Sequence, residues 1–125
     1  MSAFQRRELA FLEDGRRLGR IATVGRDGAP HVVPVGWSYN RVADTIDVGG
    51  RDMASTKKYR DVARTGQAAI VIDEVLPPWN PRGIEVRGVA EAVVGPPATI
   101  RIHPGRVRSW GLHEAGTASR DGGEA

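Results

Sequence analysis

Sixteen glycines and eight prolines punctuate this chain, and between them valine, isoleucine and threonine gather into short runs. β-branched residues suit strands, and glycine and proline end them, so the pattern predicts many strands joined by turns in preference to a helical bundle. The clearest unit is a hairpin. Leu18 to Val24 reads as one strand, Arg26-Asp27-Gly28 as a tight turn with Gly28 free to take positive φ, and Pro30 to Ser38 as the antiparallel partner. Tyr39 to Asp44 form a second turn and Thr45 to Val48 a third strand. Gln67 to Asp73 reads as an apolar strand. Ile84 to Val94 reads as a long one, whose alternation through Glu85-Val86-Arg87-Gly88-Val89 gives one packed and one wet face. Thr99 to His103 leads into a last strand or turn around Arg106 to Leu112. The proline-rich stretch from Leu76 to Gly83 predicts an irregular, stiff loop that exposes Trp79 and is placed to cover a site.

Two helices complete the reading. Phe4, Leu9, Ala10 and Phe11 mark one face of Ala3 to Asp14, with Gly15 as its cap, and a second helix runs from about Ala54 to Arg64, closed by Gly66. About six short antiparallel strands with few helices hide their edges best by closing the sheet, so a small barrel is expected. At 125 residues the chain holds one domain, placed at 1–113, and the polar, glycine-rich residues 114–125 are expected to be a disordered tail.

Composition narrows the chemistry. The chain has no cysteine, which excludes disulfides and thiolate sites, and no Ser-His-Asp arrangement is recognisable. His31, His103 and His113 are widely spaced without acidic partners at ligand spacing, so no metal site is expected. Nothing resembles a signal peptide or a membrane-spanning run, and a cytoplasmic protein without membrane contact is the expectation. The formal charge of +3 comes from scattered arginines and suits an anionic ligand. Nucleic-acid binding would need a clustered aromatic and basic strand face, which is missing.

The anion has a candidate seat. Between Ile46 and Arg64 the chain runs strand, glycine pair, helix, and it carries the protein's only two lysines, Lys57 and Lys58, directly behind Ser55 and Thr56. Backbone N–H donors at a helix start, two hydroxyls and two mobile cations are the parts of a phosphate site. The same residues also read as a capped surface helix with solvated cations.

Taken in order, the Asp-Gly turn, His31-Val32-Val33-Pro34-Val35, the glycine pair, the Ser/Thr-Lys-Lys helix, the Trp79 loop and Gly83 to Glu91 resemble the pyridoxamine-phosphate-oxidase-like split β-barrel superfamily. The resemblance spans roughly Leu9 to Leu112. The strings Thr56-Lys57-Lys58-Tyr59-Arg60-Asp61 and Arg106-Val107-Arg108-Ser109-Trp110-Gly111-Leu112 look most like its branch that uses the deazaflavin coenzyme F420. This resemblance implies a mainly β split barrel of the FMN-binding type, with six to seven antiparallel strands and peripheral helices. It also implies a homodimer with cofactor clefts between subunits.

Carried over residue by residue, it places the cofactor phosphate against Gly50, Arg51, Ser55, Thr56, Lys57 and Lys58, and the ring beside His31, Val33, Pro34, Val35 and Gly36. Trp79 and Trp110 are candidates to flank the ring, with core or dimer packing as their other reading. Arg82, Arg106 and Arg108 are candidates for an acidic tail, or else solvated. The implied activity is F420-dependent hydride transfer to a small organic acceptor, with no catalytic side chain identified. The rivals are an FMN-dependent oxidase or reductase and a non-catalytic binder of flavin, deazaflavin or haem.

Overall fold

The structure, a computed structural model, describes residues 1–112 and the backbone of residues 117–121. Its elements are α1 (Arg6–Asp14), β1 (Gly19–Val24), β2 (Pro30–Asn40), β3 (Thr45–Gly49), a 3₁₀ turn (Met53–Ser55), α2 (Lys57–Thr65), β4 (Gln67–Leu76), β5 (Asn80–Val93), β6 (Thr99–Ile102), β7 (Arg106–Trp110) and β8 (Thr117–Asp121). Antiparallel pairing in the order β4-β1-β2-β3-β6-β5 returns to β4 and closes a six-stranded barrel, as the need to hide sheet edges predicts. β7 adds to β5, and β8 adds to β7. The residues expected to form a tail thus include a paired strand, while 113–116 and 122–125 lie outside the described residues.

The barrel is split because two strands divide their partners. Residues 30–35 of β2 pair with β1, and residues 36–40 pair with β3. Residues 80–89 of β5 pair with β4, and residues 90–93 pair with β6. Period-two alternation sends Ile46 and Val48, Ile70 and Ile72, Ile84 and Val86, and Ile100 and Ile102 into one dry core. Phe11 and Leu12 of α1 and Val62 of α2 are buried with them. α1 is fixed by the fully buried Glu8, whose carboxylate accepts from the Gln5 amide at 2.8 Å and from the Ser109 hydroxyl at 2.5 Å.

Two expectations are corrected. The stretch Leu76 to Gly83 is mostly strand: Leu76 pairs with Asn80 and Val75 with Pro81, so only Pro77 to Trp79 form the hairpin tip. Pro81 fits because it lies at the start of β5, where a missing N–H is tolerated. α2 begins at Lys57 because Met53 to Ser55 first make a 3₁₀ turn, after which Thr56 caps the helix by accepting from the Tyr59 amide at 3.3 Å.

Closure demands a close crossing at Gly88. A Cβ built there would stand 2.0 Å from the His103 carbonyl oxygen and 2.7 Å from the Gly105 nitrogen, both backbone atoms held by the β6–β7 corner. Gly88→Ala should therefore cost at least about 2–3 kcal/mol in urea unfolding, since overpacking against backbone has no cheap relaxation. A loss below about 0.5 kcal/mol, the range of neutral surface changes, would show that the corner is not a fixed crossing.

Candidate functional site

At the Asp-Gly hairpin turn, three elements converge. The β1–β2 register places His31 opposite the buried Thr23, so His31, Val33 and Val35 share the β2 face that looks towards Thr23, Ile21 and Gly19. Val32 and Pro34 lie on the opposite face. Among the described residues, 30–35 pair only with β1, so the second edge of this strand half is unladdered. Gly36 pairs with Gly49, which puts the glycine pair and the start of α2 next to that edge.

Lysine chemistry at the corner is asymmetric. Lys57, the first residue of α2, reaches forward one turn to Asp61, with Nζ at 3.2 Å from one carboxylate oxygen. Asp61 is itself buried, and it also accepts from the Thr23 hydroxyl at 3.0 Å and pairs with Arg64 at 3.3 Å. Burial pushes the Asp61 carboxyl up, but the Thr23 and Lys57 hydrogen bonds and the Lys57 charge outweigh it and hold the group below its ordinary range. Lys58 and Arg51 make no side-chain hydrogen bond or ion pair among the described residues and are the mobile cations of the corner.

The hydroxyls are already engaged. Ser55 donates to the Asp52 carbonyl at 2.8 Å, and Thr56 donates to the Met53 carbonyl at 2.7 Å while capping α2. Val35 is 7% exposed, so only its backbone is open to a ligand on β2. Gly36, Gly49 and Gly50 leave open backbone, with nothing nearer than the Met53 methyl at 3.7 Å from a Cβ on Gly50.

One residue escaped the sequence reading. Gly25 is buried, and a Cβ there would meet Lys57 Nζ at 2.9 Å, His31 Nε2 at 3.0 Å and Asp27 Oδ1 at 3.1 Å. A side chain there would crowd all three polar groups, and glycine is what lets them approach the turn so closely. The spacing of Lys57 and Asp61, four residues apart on a helix, is the signal that the lysine turns this way.

Trp79, Arg82 and Trp110 are not brought to the corner. The register aligns Ala22, next to Thr23, with Ala69 and Arg87, whereas Trp110 pairs with Gly83 and Trp79 caps the far hairpin tip. Eight residues of β5 separate Asn80 from Gly88, roughly 25 Å of strand. Arg82 is held by Glu74 at 2.7 Å, and Trp110 packs over Gly83. Arg106 pairs with Arg87 on the outer sheet face, where a groove of about 550 Å³ is lined by Ala22, Val24, Ala69 and Val89. A second groove of about 500 Å³ lies between α1 and β2, walled by Leu12, Glu13, Trp37 and Arg41.

Comparison with known proteins gives these features a context. A family model described as pyridoxamine 5'-phosphate oxidase matches residues 5–111. A 5a,11a-dehydrotetracycline/5a,11a-dehydrooxytetracycline reductase from Streptomyces rimosus is 34% identical over 132 aligned residues, covering 94% of this chain and 92% of the relative. Among solved structures, the conserved hypothetical protein Rv2991 from Mycobacterium tuberculosis superposes with a TM-score of 0.71 at 21% identity, covering 86% of this chain and 84% of its own. A structure described as an F420 reductase gives a TM-score of 0.60 at 21% identity, covering 78% and 93%.

The two lysines should separate in a stability measurement. Lys57→Ala removes one partner of the buried Asp61 and, discounted for its half-exposed ammonium, should lower the thermal midpoint by about 2–4 °C. Lys58→Ala should leave it within about 1 °C, as for an ordinary surface position. Equal midpoints for the two variants in differential scanning fluorimetry would contradict the division of roles.

Proposed function

The chain belongs to the pyridoxamine 5'-phosphate oxidase family, and on that footing we propose that it is an F420-dependent oxidoreductase acting on a small unsaturated organic acceptor. Oxidoreductase chemistry is supported by the reductase from Streptomyces rimosus, whose similarity extends over nearly the whole chain. The observation that carries the site assignment is the corner itself: open glycine backbone at Gly36, Gly49 and Gly50, an unladdered strand edge, and the cations Arg51, Lys57 and Lys58.

When bound, the reduced deazaflavin supplies the hydride. The chain's own residues bind and orient. Arg51 and Lys58 hold the phosphate end through charge-assisted contacts, and the Asp61 anchor fixes the direction of Lys57. The edge of β2 from His31 to Gly36 offers backbone groups to the ring, and Pro34, which has no N–H, leaves a gap in donors there. The deazaflavin is preferred over FMN because its long acidic tail rewards a chain whose excess charge is arginine spread over the surface. FMN stands as the second reading, because the cations at the start of α2 suit a single terminal phosphate as well.

A second copy of the chain provides the other wall of the cleft in this proposal. Trp79 is 74% exposed at the hairpin tip, far from the corner of its own chain, and reaches a ring only across a subunit boundary.

Equilibrium titration with both coenzymes, followed by sedimentation, tests the reading. F420 should bind at least about tenfold more tightly than FMN at moderate ionic strength, a difference of about 1.4 kcal/mol, in a species of twice the chain mass. Reduced F420 should then be reoxidised by an unsaturated or quinone-like acceptor, seen as recovery of its absorbance. Tighter FMN binding would transfer the assignment to the flavin. Tight F420 binding without turnover would leave a carrier, and a species of 13.5 kDa would remove the second wall.

A further inference from the structure

The outer face of the sheet carries a groove that the site described above does not use. It holds about 550 Å³, within the roughly 300–1,000 Å³ of small-molecule sites. Cross-strand register explains its shape. Ala22 pairs with Ala69, so two small side chains lie side by side on β1 and β4 and keep the floor low. Val24 and Pro30, a directly opposed pair, stand at the β2 end, and Val89 stands at the β5 end. Val24 is 46% and Val89 63% exposed, so both ends present apolar surface where the wet face of an antiparallel sheet ordinarily carries polar side chains. The floor row continues from Ala69 to Arg87 and from Arg87 to Arg106, which closes the groove with cations.

We propose that this groove seats the acceptor: a flat, apolar, fused-ring molecule with a carboxylate at one end, its rings on Ala22 and Ala69 and its acid on Arg87. Arg87 is exposed, makes no side-chain hydrogen bond among the described residues and meets Glu85 only at 3.9 Å. Its guanidinium N–H groups are therefore available to donate to an incoming carboxylate. Strands lie about 4.8 Å apart, so the path from Pro30 on β2 across β1 and β4 to Arg87 on β5 is roughly 14 Å, the length of about three fused rings with an acid attached. The proposal deepens the reading above and rests on it for the reaction at the β2 end. Pro30 opens the strand half whose second edge is unladdered among the described residues, and that edge is the one offered to the coenzyme ring. An acceptor in the groove thus lies beside the coenzyme at one end and on a cation at the other.

The probe is 2-naphthoate, titrated into the full chain beside its neutral counterpart 2-naphthalenemethanol and followed by backbone amide shifts. Both should perturb Ala22, Ala69 and Val89. The acid should bind about fivefold more tightly, a charge-assisted contact discounted for solvent screening, and the difference should fade in added salt. Arg87→Gln should bring the two affinities together by weakening the acid alone. Ala69→Leu raises the floor and should weaken both probes at least about tenfold. Its thermal midpoint should stay within about 1 °C of wild type, since a larger apolar residue suits an outward strand position. Ala22→Leu is the second floor variant and should act in the same way, so the outcome does not hang on one substitution folding.

With reduced F420 and menadione as acceptor, 2-naphthoate should inhibit competitively, and Arg87→Gln should relieve that inhibition. Amide shifts that avoid the groove, an acid preference that survives Arg87→Gln, or floor variants that bind both probes like the wild type overturn the proposal. So does a floor variant that changes the sedimenting mass, because a second copy of the chain is then what covers the groove. Binding of 2-naphthoate as described, with F420 unbound, keeps the groove as an aromatic-acid site and removes the oxidoreductase reading. Turnover of F420 untouched by 2-naphthoate keeps that reading and removes the acceptor from the groove.

Discussion

β5 hydrogen-bonds to β4 through its first ten residues and to β6 through its last four, and this division of one strand between two partners closes the barrel. The switch falls at Val89 and Ala90, beside Gly88, where the β6–β7 corner crosses so closely that its backbone leaves no room for a Cβ. Closure then fixes the rest. Among the described residues, it orders β2 so that 30–35 pair with β1 alone, and it brings β3 out at Gly49 next to that open edge. α2 packs under β1 through the buried Val62 and Asp61. The corner at Gly25 is where these consequences meet.

Electrostatics at that corner rests on one buried carboxylate. Asp61 would be costly to leave unpaired in the interior, and Thr23, Lys57 and Arg64 together satisfy it. The result is a division of labour: Lys57 is held in direction, while Lys58 and Arg51 remain available. A pair of lysines that looks uniform in the sequence is therefore two different devices in the fold.

Much of the architecture was legible because it is written in local chemistry. The Asp27-Gly28 turn has its positive φ at Gly28, the helix caps at Gly15 and Gly66 are left-handed, and the β5 alternation buries Val86 while exposing Arg87. The misread stretch was Leu76 to Gly83, where four prolines and glycines suggested a loop. Pairing with β4 overrode local preference once Pro77 and Pro78 were confined to the tip. The site was less legible for a physical reason. Motifs name residue types, but Trp79, Arg82 and Arg106 are placed by register and ion pairing that depend on distant strands, as the Glu74 contact of Arg82 illustrates. Gly25 carried no motif at all, and its role comes only from side chains converging on it.

The account's central claim is that the ligand seats at the Gly25 corner and along the open edge of β2. Mapping backbone amide shifts of the full chain on addition of F420 addresses it directly. The predicted result is a contiguous set of perturbations at Gly25, His31 to Gly36 apart from Pro34, and Gly49 to Lys58. Perturbations confined to the groove between α1 and β2, at Leu12, Glu13, Gly15 and Arg41, would contradict it.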